Sequence, residues 1–239
     1  LIVLDTCEHL LPDIVAVVVA LLRACPRVRV LATSRQRLAI GGETLYRLPP
    51  LALPETAVAD IEEAQRYAAV ELFVRRAVSA ERTLSFTAGS AETLAAICRT
   101  LDGIPLSIEL AAARAGTLGL QMLAARLRDG FELTNINRDV PPRHRSSQAS
   151  IEWSYRLLTN DEQTAFTQLA VFSEPFTLDE CERICVSGGL DEIGIPDILS
   201  GLVEKSFIEV DTTGAALQYR MLNTMRGFAA RLGTRRLSQ

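Results

Sequence analysis

Two aliphatic runs separated by one helical stretch constrain this chain more than anything else in it. "LIVLD" opens the sequence, and "VRVLATS" carries a second run from Val28 to about Thr33. Between them, "LLPDIVAVVVALLRAC" reads as a helix stopped by Pro26. Strands with no polar residue on either face predict the buried centre of a parallel sheet. Strand, helix, strand is a βαβ unit, so the two strands are expected to run parallel with a right-handed crossover. Asp5 ends the first strand and Arg35 follows the second, which places both on the carboxyl edge, where open α/β sheets bind ligands. A chain that starts inside a core strand, without Met, reads as a fragment of a longer protein.

After "GGETLYRLPPL", Pro49, Pro50 and Pro54 mark an exit from this first domain, residues 1–50. Residues 51–130 read as a helical domain. "RYAAVELFVRRAVSA" sets Ala69, Leu72, Phe73 and Ala77 on one stripe. "SAETLAAICRTLDG" is expected to start at a Ser90 cap and stop at Gly103. "IPLSIELAAARAGTL" restarts at once with Pro105 in its first turn, and "LQMLAARLRDG" follows. Residues 131–147, "FELTNINRDVPPRHRSS", read as a linker, with a hinge at Pro141 and Pro142. Residues 148–239 then carry helices, two of them with Thr159/Glu162 and Thr177/Glu180 spaced as capping boxes. "FIEV" and "LQYRM" read as a hairpin and "NTMRGFAARL" as a closing helix, a winged-helix-like order.

The bulk numbers exclude several classes. A formal net charge of -4 gives a nucleic-acid partner no support, and 5% aromatic residues leave few platforms for bases. The apolar run from Ile14 to Leu22 is too short to span a bilayer, so no membrane partner is expected. Five cysteines, an odd number without a CxxC, read as buried free thiols in a reducing cytoplasm. His9 and His144 are the only histidines, which argues against a His-based zinc site.

Three places could carry chemistry. Asp5 is placed to hold Mg²⁺, or else caps the following helix with Glu8 as its partner. Arg35 can offer a fork of donors to a terminal phosphate, or else is a solvated loop arginine. Gly103 and Pro105, in "GIPL", set a rigid bend that is either a ligand contact or a plain helix–helix corner.

"LIVLDTCEHLL", "LRACPRVRVLATSRQRL", "YRLPPL", "ICRTLDGIPLSIELAAARA", "SIEWSYRLL", "LVEKSFIEV" and "YRMLNTMRGFAARL" follow one another in an order that resembles the STAND-class NTPases. The closest type is the core of bacterial LuxR- and SARP-like transcriptional regulators, related to NB-ARC modules. The resemblance covers nearly the whole chain. It implies an α/β fold: the C-terminal part of a P-loop NTPase parallel sheet, then a helical domain and a winged-helix-like domain. It makes "LIVLD" the Walker B strand, with Asp5 holding the Mg²⁺ and its water network. Arg35 becomes sensor 1, facing the γ-phosphate, and Gly103 and Pro105 belong to a GxP motif that packs on adenine. Asn223 falls in the segment that senses bound ADP through a Met-His-Asp motif.

The chain departs from that pattern in three respects. No Walker A loop, GxxxxGKS/T, is present. Met221, Leu222 and Asn223 stand at the Met-His-Asp position, so no histidine reaches a β-phosphate. Thr6 follows Asp5 where many relatives have a second acid, leaving Glu8 as the candidate catalytic carboxylate. Hydrolysis is therefore expected to be slow or absent, and confined to a full-length parent.

The reading is a cytoplasmic ATP/ADP-dependent conformational switch within a signal-transducing regulator. Its partners are the nucleotide, other copies of itself or effector domains of the same chain, with DNA bound only by a domain outside these residues. The alternatives are a DNA-binding winged-helix protein, a housekeeping P-loop hydrolase and a nucleotide-free scaffold. For the first, the groove-entering element is about Pro196 to Lys205. A basic patch of Arg143, Arg145, Arg231, Arg235 and Arg236 would favour it.

Overall fold

The computed structural model describes residues 1–129, 133–134, 146–211 and 217–236, without the side chains of residues 88, 147 and 234–236. In chain order the elements are β1 (Ile2–Leu4), α1 (Leu11–Ala24), β2 (Val30–Ala32), α2 (Ile61–Ala64), α3 (Ala68–Ala80), α4 (Ala91–Thr100) and α5 (Pro105–Leu118). They continue with α6 (Leu120–Arg128), α7 (Ser147–Tyr155), α8 (Asn160–Leu169), α9 (Leu178–Ser187), α10 (Ile195–Glu204), β3 (Glu209–Asp211), β4 (Gln218–Arg220) and α11 (Asn223–Arg236). The fold is mixed α/β, mostly helical, with two small two-stranded sheets among the described residues. None of its helices is long and apolar enough to cross a membrane among those residues.

The chain divides into two compact units that do not follow chain order. The first joins Leu1–Leu48 to Glu174–Arg220, and the second joins Pro49–Ser173 to Met221–Gln239. The segment 148–239 is thus shared between them.

In the first unit β1 and β2 pair in parallel, Ile2 opposite Val30 and Leu4 opposite Ala32. The strands are short and largely exposed: Val3 is 59% and Leu31 56% accessible. The expectation of a buried sheet centre is corrected here. A sheet of two strands has few layers to cover its faces, so aliphatic composition alone does not bury it. In the other part of the unit α9 and α10 pack together, and Cys181, Cys185, Leu199 and Leu202 are buried. β3 and β4 pair antiparallel, with Val210 opposite Tyr219. Phe176 exchanges backbone hydrogen bonds of 2.9 and 2.8 Å with Tyr219, adding one rung to that sheet.

The second unit has its core where α3, α4, α5 and α6 meet. Ala69, Phe73 and Ala77 of the expected α3 stripe are buried, while Leu72 is half-buried. In α5, Ile108, Leu110, Ala111, Ala112 and Ala115 are all buried, so this helix is the centre of the bundle. Tyr155, Phe166 and Phe228 cluster between α7, α8 and α11, with Tyr155 and Phe228 edge-on at 5.6 Å.

Local capping follows the sequence closely. Thr159/Glu162 and Thr177/Glu180 each form a complete reciprocal capping box. Ser90 does not cap α4 with its hydroxyl. It closes its own turn instead, donating to the Thr87 carbonyl at 2.7 Å and accepting from the Thr87 N–H at 2.9 Å. Four cysteines are buried, but Cys25 is exposed, because it lies past the end of α1. The hinge around Pro141 and Pro142, and Arg143 and Arg145 of the basic patch, lie outside the described residues.

Candidate functional site

In the first unit the parallel register brings Asp5 and the residues after β2 to one edge. Thr33 joins them. Its N–H donates to Leu4 O at 2.8 Å, its hydroxyl donates to Asp5 Oδ1, and that hydroxyl oxygen accepts the Thr6 N–H at 3.0 Å. The chain can turn this sharply because Thr6 adopts the left-handed conformation, φ 61°. The turn delivers the Cys7 N–H to Thr33 O at 3.0 Å. Asp5 therefore pairs with Thr33 across the sheet edge. The 3₁₀ turn Cys7–His9 and α1 both start without a side-chain cap.

That turn carries Glu8 inward. Glu8 is 8% exposed, and its Oε1 lies 3.9 Å from Arg35 Nε. Its Oε2 is buried without a hydrogen-bond partner among the described residues. Burial pulls the Arg35 guanidinium down from its ordinary value, and the Glu8 charge opposes that shift. Burial, then Glu8, then Asp5 push the Cys7 thiol up, so Cys7 is not an activated nucleophile. The loop beyond Arg35 is folded by Glu43, whose carboxylate accepts the Leu38 and Ala39 N–H groups at 3.0 and 2.8 Å. Arg37 approaches Glu204 of α10 at 3.9 Å, and Arg47 donates to Val203 O at 3.5 Å.

In the second unit Gly103 and Pro105 form the corner between α4 and α5. Gly103 has φ +67°, and a Cβ there would sit 2.4 Å from the Leu51 carbonyl oxygen. Only glycine fits both conditions. Leu51 N–H donates to Gly103 O at 3.0 Å. Pro105 starts α5 and is exposed, a ring available for contact.

Asn223 opens α11, and its side chain is used within the chain. Nδ2 donates to Asp102 Oδ1 at 2.9 Å and to Arg99 O at 3.5 Å, while Oδ1 accepts from Arg226 at 2.7 Å. The residue that organises this corner is Asp102, which the sequence analysis did not single out. It is 7% exposed and left-handed, φ 54°. A signal was present, since an acid at the C-terminal end of a helix opposes the helix dipole and asks for a partner. Burial pushes the Asp102 carboxyl up, and the donors of Thr224 and Asn223 pull it back.

Asp5, Glu8 and Arg35 thus share one edge of the first unit, and Gly103, Pro105 and Asn223 belong to the second unit. Among the described residues no group of three or more His, Cys, Asp or Glu is placed to hold a metal ion. A single exposed carboxylate such as Asp5 suits Mg²⁺, which keeps several waters and takes its other ligands from phosphates.

No protein-family model matches the chain. Curated relatives do. A Mycobacterium tuberculosis (strain H37Rv) protein named "Putative HTH-type transcriptional regulator" is 38% identical over 230 residues, covering 96% of this chain and 25% of the relative. A Mycobacterium bovis protein of the same designation matches to the same extent. An uncharacterized protein of Mycobacterium tuberculosis (strain H37Rv) is 36% identical over 235 residues, covering 96% of this chain and 56% of its own length. The chain therefore spans about a quarter of the first relatives' length and little more than half of the other's.

Proposed function

We propose that this chain is the ATP/ADP-dependent switch module of a signal-transducing transcriptional regulator, built on a P-loop-type parallel sheet of the STAND class. The observation that carries the reading is the parallel register that sets Asp5 and Arg35 at the carboxyl ends of adjacent strands. The relatives named as HTH-type regulators support the regulatory setting.

In this reading Asp5, oriented by Thr33, holds Mg²⁺, which when bound neutralises phosphate charge. Arg35 faces the terminal phosphate, and Glu8 sets how much of the Arg35 charge is available. Pro105 offers its exposed ring to the adenine face, on a corner fixed by Gly103. Hydrolysis, where it occurs, is slow, with Glu8 as the candidate catalytic carboxylate. The module acts in the cytoplasm through other copies or effector domains of the same protein.

The name of the relatives also favours DNA binding by the whole regulator. Helix α10 does not suit that role. It buries Leu199, Leu202 and Val203 and exposes Asp197 and Glu204, whose charge repels phosphate. We assign DNA contact to a domain beyond these residues.

The test is equilibrium binding of a fluorescent ATP analogue to the protein with its natural flanking sequence. Mg²⁺-dependent binding that weakens on Asp5→Ala and Arg35→Ala supports the reading. Full binding by both variants removes the sheet edge from the site.

A further inference from the structure

The Asp102 carboxylate sits on the first turn of α11. It accepts the Asn223 N–H at 3.0 Å, the Asn223 Nδ2 at 2.9 Å, the Thr224 N–H at 2.8 Å and the Thr224 hydroxyl at 2.9 Å. The first N–H groups of a helix have no partner within it. Here a residue 121 positions earlier supplies the partner, in place of a local cap.

Two features couple this contact to the corner. First, Asp102 is held in the left-handed conformation at the end of α4. Its side-chain bonds to α11 add to the backbone bonds of that turn, Asp102 N–H to Arg99 O at 3.0 Å and Gly103 N–H to Cys98 O at 3.2 Å. Second, the carboxylate is buried. Were α11 to move away, Asp102 would be an ionised group with no donors, and the corner would have to open to hydrate it. The next residues are Gly103, locked against Leu51, and Pro105. Asn223 extends the link, since Arg226 ties it to Phe172 O and Ser173 O at 3.4 and 3.0 Å.

We propose that Asp102 is a latch through which the α4–α5 corner and the start of α11 change conformation together. Docked, the carboxylate caps α11 and braces the corner's left-handed turn. Released, α11 loses its cap, and the corner that carries Pro105 relaxes. Resting on the switch reading above, this assigns the latch to the motion that nucleotide controls.

The experiment has two arms. In the first, amide exchange is measured residue by residue on the chain itself. Asp102→Gly keeps the backbone conformation accessible and removes only the carboxylate. It is expected to speed exchange at Asn223, Thr224 and Met225 at least about tenfold, leaving the α3 and α5 core protected. Thr224→Val, which removes one hydroxyl, is expected to act in the same direction by about threefold. It decides the matter should Asp102→Gly fail to fold. Unchanged protection in the folded variants overturns the latch. In the second arm, ADP release is timed for the full protein and its Asp102→Gly variant. Faster release supports the coupling, and equal release from a loosened α11 overturns it. Should the unmodified full protein bind no nucleotide, the switch reading fails, while the exchange arm still decides the latch.

Discussion

The guanidinium of Arg35 and the buried carboxylate of Glu8 face one another at the end of the parallel strands, Nε 3.9 Å from Oε1. This pairing gives the sheet edge a charge balance that neither residue has alone. A phosphate approaching Arg35 meets a cation already partly neutralised. The Oε2 of Glu8 makes no hydrogen bond among the described residues. The two roles of Glu8 are separable. On the switch reading, Glu8→Gln in the full protein is expected to slow whatever ATP hydrolysis occurs by about two orders of magnitude, with ATP binding unchanged or tighter. Single-turnover hydrolysis beside equilibrium binding reads the two effects apart. An unaltered hydrolysis rate would leave Glu8 only its pairing with Arg35.

Gly103 allows a sharper prediction. Alanine there needs a positive φ and puts a methyl 2.4 Å from a backbone carbonyl oxygen. Backbone cannot yield as a side-chain tip does. Gly103→Ala should cost about 3 kcal/mol or more, read as a drop in the urea midpoint at constant slope. A loss below about 1 kcal/mol would show that the Leu51 backbone shifts freely.

The capping boxes at Thr159 and Thr177 share no partner and belong to different units. Each Thr→Ala change should cost about 1 kcal/mol, and the double variant should lose the sum. These boxes were legible in the sequence because capping is local, a matter of three residues. So were the parallel pairing of β1 with β2 and the Gly103–Pro105 corner, which rest on strand–helix–strand order and on turn chemistry. The Asp102 contact was not legible. It joins residues far apart in the chain, and nothing in "TLDG" names the helix whose end it caps. The exposure of Val3 and Leu31 was hidden for a related reason: composition reports what a strand tolerates, and packing decides what covers it. Ser90 departs from the expected cap because a serine before a helix can bond its own turn as readily as the helix.

Glu92 makes the acid response of the helical bundle predictable. Its carboxylate accepts the Val58 N–H at 3.2 Å and pairs with Arg99, and these hold it below its ordinary value, the Val58 bond most. A carboxyl held low in the folded state contributes stability above its unfolded value, near 4.5. That contribution is lost as pH falls through the lower folded value. Glu92→Gln should therefore be less stable than the unmodified chain at neutral pH and approach it at an acid pH below the folded value. Chemical denaturation at the two pH values checks this. A gap that stays constant would show that packing of the Glu92 stem, and not its charge, is what matters.

The last prediction separates this module from a DNA reader. A helix that enters the major groove presents polar and basic side chains to bases and phosphates. Helix α10 instead turns Ile195, Leu199, Leu202 and Val203 into its own unit. Its flank is committed as well, because Arg37 approaches Glu204 and Arg47 reaches the Val203 carbonyl. The groups left outward include Asp197 and Glu204, and bringing them to a duplex adds repulsion with no counterion release in return. The 239-residue chain should thus bind duplex DNA no more tightly than about 10 micromolar at physiological salt, without sequence preference. Charge reversal at Glu204, Glu204→Lys, should not create specificity, since α10 keeps its apolar face buried and Asp197 outward. Fluorescence anisotropy with labelled duplexes over a salt series is the measurement. Nanomolar, sequence-selective binding with a steep salt slope would return α10 to the groove and make the chain itself the DNA-binding part of the regulator.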